Sequence, residues 1–365
     1  MAEMSSDPVS VFIPTFTEGN PYSTLLTKAL EKKNVESVKS EHPPIFPLTL
    51  GGVLSDEIDV IHLDWIYQFY MTTPTSSDLF NALTSIIRGA LFIIDLFVVS
   101  VSKTGLVWTV HNKYHHENEF RRTERVVNEA AFLFANEVTV KCESAARILD
   151  DEYILAHWSE FHIVRDGSYH RVYPDNISRE TARQKHLIKQ DDFVYLYFGS
   201  IREYKGVDTL IKASKKIDAD NIQIWIVGNP ANTEIKENIK QMASQIPYIK
   251  IEFDYIPADS VQEYFNMADV LVLPYKDILN SGGVYLGLTF GMPIISPSKG
   301  CIPATLPAEN SGLLYDGSCG ELVNSMQKAR DNSDLERISA ANYRQGREYD
   351  WETPAKQLSQ LYRTV

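Results

Sequence analysis

The sequence predicts an α/β protein of two domains, each a mostly parallel sheet with helices on both faces, facing each other across a cleft. Three observations carry this. Short apolar runs alternate with helical patterns along most of the chain. The rhythm breaks at Asp166-Gly-Ser-Tyr-His-Arg-Val-Tyr-Pro174, and the stretch from Asn176 to Asp192 is polar and charged. A chain of 365 residues with 44% hydrophobic content also suffices for two packed cores. The expected domains are residues 1–174 and 175–350, with a last helix over 351–365 packing back on the first domain.

Taken in order, Val9 to Ile13 reads as a strand, followed by the loop Thr15 to Asn20. A helix opens at Pro21, with Asn20 as its cap. Asp59 to Leu63 is the next strand and carries Asp64-Trp65 at its carboxyl end. Leu106 to Val110 ends in His111-Asn-Lys-Tyr-His-His-Glu117, and Glu137 to Val140 and His162 to Val164 complete the first half. The second half restarts at Phe193 to Phe198 and continues with Ile222 to Val227, Ile249 to Phe253, Val270 to Leu273 and Pro293 to Ile295. Such short apolar runs suit buried parallel strands.

The segment Ala82 to Val101 is rich in Ile, Leu, Phe and Val, but Arg88 and Asp95 interrupt it. A buried helix is expected there in preference to a membrane-surface helix, and a span is disfavoured. The net charge of −13 excludes a general nucleic-acid binder. Cys142, Cys301 and Cys319 are three and far apart in the chain, which indicates neither a disulfide framework nor a thiolate metal site. The polar, acidic start predicts no signal peptide, and a cytoplasmic location fits.

The chemistry gathers where strands end. Phe193 to Phe198 stops at Gly199-Ser200, and a helical pattern begins at Val207, with Arg202 and Lys205 between. Open α/β sheets bind phosphorylated ligands at such a place, because backbone N–H groups and the helix dipole favour anions. A charged surface turn is the alternative. Gly228-Asn-Pro230 follows another strand. The loop Pro274 to Gly283 ends in Asn280-Ser-Gly-Gly283, whose glycines let a diphosphate approach consecutive N–H groups. In the first half, His111 and Asp64 occupy strand ends, although a hydrogen-bonded core histidine is an equally good reading of His111 alone. His111, His115, His116 and Glu117 lack the His-Glu-x-x-His spacing of a metal site. Asp218-Ala-Asp220 precedes a strand instead of ending one, so it sits at the wrong sheet edge for a metal motif.

These residues together resemble a known superfamily. Phe198-Gly-Ser-Ile-Arg202, Lys205-Gly206, Val227-Gly228, Ala268 to Tyr275, Gly291-Met-Pro-Ile-Ile295, Asn310 to Leu314 and Tyr349-Asp-Trp-Glu352 are similar to the donor domain of GT-B-fold glycosyltransferases. Asn20-Pro-Tyr22, Trp108-Thr-Val-His-Asn112 and the Gly167-Ser-Tyr…Tyr173-Pro junction extend the resemblance to the first half. That fold is two Rossmann-like domains facing across a cleft. The resemblance implies a hexosyltransferase using a UDP- or GDP-sugar and a glycan or lipid-linked acceptor in polysaccharide biosynthesis. No metal or other cofactor is implied beyond the sugar nucleotide as co-substrate, and peripheral membrane contact at the inner face is a further implied partner.

By position, Arg202 and Lys205 would neutralise the donor diphosphate. Gly199, Gly228, Asn280, Ser281, Gly282 and Gly283 would line it, and the backbone of Tyr255-Ile256 would border the base. Asn20, Tyr22, Asp64, Trp65 and His111 would face the acceptor, with His111 reaching the transferring sugar. The sequence departs from the superfamily where retaining members carry a Glu pair. Those positions fall at Ile278 and Leu286. Inversion is therefore open, with Asp64, Glu117 and Glu119 as candidate bases. The Asn/Ser-Gly loop is similar to that of β-mannosyltransferase-like enzymes of exopolysaccharide assembly. A catalytically silent GT-B binding subunit and a sugar-nucleotide epimerase are the alternatives. In the resemblance the last helix, with Leu358, Leu361 and Tyr362, crosses back to the first domain, and the double crossing serves as a hinge.

Overall fold

The computed structural model describes residues 7–14, 21–38, 43, 45–55, 57–71, 78–115, 120–218 and 220–365. The chain divides into two compact units, one of residues up to Asp166 together with Asp350–Val365, the other Gly167–Tyr349. The division falls at Asp166/Gly167 rather than after Pro174. Residues 167–174 go with the second unit because Ser168 N donates to Tyr349 O at 2.8 Å and Tyr169 N to Thr289 Oγ1 at 3.1 Å.

The first unit runs β1 (Val9–Phe12), α1 (Pro21–Glu31), β2 (Val35–Val38), β3 (Val60–Leu63), α2 (Tyr67–Tyr70), α3 (Asp78–Ser100), β4 (Gly105–Thr109), α4 (Arg121–Phe134), β5 (Glu137–Val140), α5 (Glu143–Glu152) and β6 (Phe161–Ile163). Its six parallel strands stand in the order β2-β1-β3-β4-β5-β6. The order reverses between β1 and β3. A crevice opens outside the carboxyl ends of strands at such a reversal, because the two flanking connections leave for opposite faces. The strand β2 was not foreseen from the sequence. Its Val-Glu-Ser-Val pattern is short, and it sits at the sheet edge with Glu36 exposed.

The second unit runs α6 (Arg179–Lys185), β7 (Phe193–Phe198), α7 (Val207–Ser214), β8 (Ile222–Val227), α8 (Thr233–Ala243), β9 (Ile249–Glu252), α9 (Ala258–Met267), β10 (Val270–Val272), α10 (Gly282–Thr289), β11 (Ile294–Pro297), α11 (Ile302–Thr305), β12 (Leu314–Tyr315), α12 (Cys319–Arg330) and α13 (Leu335–Glu348). The sheet order is β12-β11-β10-β7-β8-β9, again all parallel, with the reversal between β7 and β10. Register is set by burial: Phe193 to Phe198 pair one for one with Ile222 to Val227. Alternate residues go to opposite faces, so Tyr195 and Tyr197 enter one apolar core while Val194 and Leu196 enter the other.

The last helix, α14 (Glu352–Tyr362), belongs to the first unit. Ala355, Leu358 and Tyr362 lie in one apolar cluster with Val11, Leu26, Leu30, Val60 and Val107. Tyr362 Oη pairs with His62 Nδ1 at 2.5 Å. Asp350 Oδ1 accepts from Thr353 N at 2.7 Å and so fastens the helix start.

The apolar segment of α3 departs from expectation. Only 33% of its most apolar window, of mean hydropathy 2.1, is buried, and its length and composition would suffice to cross a membrane. A buried helix was the expected outcome. In the structure the inward positions are partly polar and the outward ones apolar.

Candidate functional site

In the second unit most of the predicted donor residues gather around the sheet reversal, while Tyr255 and Ile256 follow β9 at the sheet edge. The connection leaving β7 and the one leaving β10 touch directly: Lys276 N donates to Tyr204 O at 2.7 Å, and Lys276 Nζ pairs with Asp208 at 2.9 Å. Gly206 makes this approach possible. Its φ is 71°, and a Cβ there would stand 1.9 Å from Pro274 O. Gly199 and Gly228 meet in the same way, since a Cβ on Gly228 would fall 1.9 Å from Gly199 O. Ile201 then pairs with Pro230 in parallel fashion, which ties the β7 loop to the β8 loop.

Lys205 hangs over this glycine floor: a Cβ on Gly199 would be 3.6 Å from its Nζ. The side chain is half-buried, and no carboxylate pairs with it among the described residues. Burial, and then the charge of Arg202, lower its pKa from 10.5 to about 8. Two cations side by side in partly desolvated ground form an anion site at a cost to the folded protein.

The second anion-binding element is the start of α10. Ser281 caps it, its Oγ accepting from Val284 N at 3.3 Å and pairing with Tyr275 Oη at 2.9 Å. First-turn N–H groups of a helix, here those of Gly282 and Gly283, have no intrahelical acceptor. A Cβ at Gly283 would stand 2.8 Å from Tyr275 Oη, so the close packing requires glycine. Asn280 is half-buried beside the cap, and Tyr255 is 75% exposed with Ile256 packed below it. Ile278 is buried, and Leu286 packs on the same core, so the positions of the superfamily's Glu pair are filled by apolar contacts.

In the first unit, the ends of β3 and β4 and the start of α1 converge on one buried cluster. Asp64 Oδ1 accepts from Tyr22 Oη at 3.0 Å and pairs with His111 Nε2 at 2.8 Å. Trp65 stacks on His111 with centroids 4.7 Å apart, and Tyr22 meets both rings edge-on. Burial raises the carboxyl of Asp64, but the His111 hydrogen bond and the charges of His62, His111 and Lys141 outweigh it and hold the pKa at about 2. A carboxylate that acidic is a poor proton acceptor. Its geometry instead orients the imidazole. A cavity of about 30 Å³, room for a single water, borders Asp64, Trp65, His111 and His115.

Two residues of this cluster were not singled out from sequence. Lys141 ends β5 as His111 ends β4. It is buried, pairs with Asp166 at 2.7 Å and lies 5.1 Å from the Tyr22 ring centroid. The available signal was position: a charged residue directly after an apolar strand. Asn20, Glu117 and Glu119 lie outside the described residues. Asp218 and Asp220 flank the start of β8, where Arg330 donates to both backbone carbonyls, and so stand at the opposite sheet edge. A cavity of about 700 Å³ is lined by Glu309, Lys328 and Arg337 at the far end of α12 and likewise lies at the amino-terminal edge. It collects none of the predicted site residues.

Two parallel six-stranded sheets, each with its polar residues at the reversal of strand order, define a GT-B glycosyltransferase fold. Over 98% of both chains the structure is similar to sucrose-phosphate synthase from Thermosynechococcus elongatus, with TM-score 0.73 and 16% identity. It is similar to HepE of Anabaena in complex with UDP-glucose over 98% of this chain and 99% of that one, with TM-score 0.71 and 15% identity. Residues 178–345 match the family described as Glycosyl transferases group 1. The GDP-mannose:glycolipid 4-beta-D-mannosyltransferase of Xanthomonas campestris pv. campestris is 23% identical over 278 residues, 76% of this chain and 70% of that protein. The chain has the GT-B fold, and residues 178–345 are a glycosyltransferase group 1 domain. It is a hexosyltransferase.

Proposed function

We propose that the second unit binds the diphosphate of a UDP- or GDP-sugar and that the enzyme transfers the sugar, without a metal ion, to a hydroxyl of a glycan or lipid-linked oligosaccharide in polysaccharide assembly. The observation that carries this is the Arg202–Lys205 pair above the Gly199 floor, with Lys205 held at about 8 and lacking a carboxylate partner among the described residues. In transfer the acceptor oxygen forms a bond to the anomeric carbon, and the bond from that carbon to the β-phosphate oxygen breaks. The nucleoside diphosphate leaves with the electron pair. Charge therefore grows on the β-phosphate, where two fixed cations and the α10 N–H groups stabilise it most. The acceptor proton passes to a base, and His111, oriented by Asp64, is the group of the first unit suited to that task. The mannosyltransferase relative, named for GDP-mannose and a glycolipid, and the UDP-glucose complex of HepE support a sugar nucleotide as donor.

The test is turnover of Arg202→Ala and Lys205→Ala across a panel of UDP- and GDP-sugars, scored by nucleotide release. Each should fall on the order of a hundredfold, as loss of a charged transition-state contact does. Near-normal turnover in both would overturn the assignment.

A further inference from the structure

The geometry points to a lipid-bilayer surface bearing anionic headgroups as the partner of the outer face of α3. The proposal stands apart from the sugar-transfer reading.

Helix α3 is apolar on both sides: Phe92, Leu96 and Val99 face the core, and a second apolar row faces away from it. Asn81, Ser85 and Asp95 are buried toward the protein, and Asp95 accepts from Leu48 N and Thr49 N at 2.8 Å each. The outward positions Leu83, Ile86, Ile87, Ile94 and Phe97 are each about half exposed, and Leu79 is 81% exposed. A helix covering a water-soluble core places its polar residues outward, because water solvates them there. This one commits its buried Asp95 to backbone N–H groups of the protein and turns an apolar row away.

The row is part of a wider patch. Of the eighteen large apolar side chains that are exposed among the described residues, fifteen lie between residues 45 and 158 of the first unit. Val126 and Leu133 extend the patch onto α4, which packs along α3 through Gly89, Thr123 and Val127. A concentration on this scale exceeds what scattered surface hydrophobes account for.

Charge identifies the occupant. Arg121 and Arg122 are exposed at the start of α4 beside the apolar row, Arg125 one turn on is paired with Glu129 and Glu152, and Lys103 is exposed just beyond the end of α3. Within a chain of net charge −13, cations rim this face. Apolar residues flanked by arginine and lysine suit the boundary between acyl chains and anionic headgroups. Topology makes it a surface contact and not a span. Both ends of α3 lead into β3 and β4, which pair in register from Val60↔Gly105 to Leu63↔Trp108.

The experiment is co-sedimentation of the full chain with vesicles of phosphatidylcholine alone and of equimolar phosphatidylcholine and phosphatidylglycerol. It compares the wild type with Ile87→Asp/Ile94→Asp and with Arg121→Ala/Arg122→Ala, each checked for native circular dichroism. The wild type should bind the anionic vesicles, the apolar double variant should lose at least about tenfold in partitioning, and the arginine variant should lose the preference for anionic lipid. Should the aspartates disturb the fold, the arginine variant decides the outcome alone. The proposal is overturned if the wild type stays in the supernatant or the folded variants bind like the wild type. It is equally overturned if sedimentation equilibrium shows a wild-type dimer that Ile87→Asp/Ile94→Asp dissociates while vesicles bind neither, which would make the occupant a second copy of this chain.

Discussion

Lys205→Met probes the donor site through stability and turnover together. In the folded protein burial and Arg202 hold Lys205 at about 8 against an ordinary 10.5. Between those values the unfolded chain binds a proton that the folded chain does not, so Lys205 makes stability rise with pH from about 8 to 10.5. Below 8 the whole cost is present. At about 1.4 kcal/mol per pH unit the shift corresponds to roughly 3 kcal/mol, which partial exposure of the side chain reduces to about 1–2 kcal/mol. Methionine keeps most of the packing and carries no charge. At pH 7 the variant should therefore unfold about 1–2 kcal/mol less readily and melt roughly 2–8 °C higher. The gain should vanish above about pH 10.5, where wild-type Lys205 is neutral in both states. Turnover should fall on the order of a hundredfold over the same range. In the wild type, kcat/KM should decline above about pH 8 as the free enzyme loses the lysine proton. The assays are chemical denaturation at several pH values and nucleotide release from the preferred donor. A variant no more stable than the wild type at pH 7, with undiminished UDP or GDP affinity, would refute the account of a charge held ready for a ligand.

Other consequences can be measured in the same way. Asp64→Asn should keep nucleotide binding but lower transfer roughly tenfold to a hundredfold, because His111 loses the carboxylate that orients it. Its depressed pKa gives stability that is present above about pH 4 and lost as pH falls through about 2, worth about 2 kcal/mol, so the variant should lack that step in acid unfolding. Gly206→Ala should cost about 2 kcal/mol or more in urea unfolding, since a Cβ must displace Pro274 O from 1.9 Å at a φ of 71°. Tyr362→Phe leaves His62 Nδ1 without its 2.5 Å partner and should cost about 1–3 kcal/mol. Burial lowers His62 from 6.5 to about 4, so wild-type stability should already decline as pH falls through that window, read by urea midpoints.

The two-sheet architecture was legible because each buried parallel strand needs a continuous apolar run. Phe193–Phe198 and Ile222–Val227 appear in the structure with the bounds that their composition suggests. The strands β2 and β12 escaped notice because neither is a continuous apolar run of any length: Val35–Val38 contains Glu36 and Ser37, and Leu314–Tyr315 is two residues long. The donor residues were legible for a related reason: Arg202, Lys205 and the glycines interrupt apolar runs where a buried strand has to end. Lys141 and Asp166 met the same criterion but stand alone in sequence, and only folding brings them within 2.7 Å of each other.

The sequence alone determined the alternation of strand and helix, the break between the halves and the location of the polar residues at strand ends. Those depend on local periodicity and on the incompatibility of charge with a buried strand. Tertiary structure alone decided that Asp64, His111 and Tyr22 share hydrogen bonds, because residues 42 to 47 apart meet only when parallel strands lie side by side. It also decided which face of α3 turns outward. An apolar helix reads alike whether its surroundings are core or solvent, and the buried Asp95, committed to Leu48 N and Thr49 N, sets its rotation.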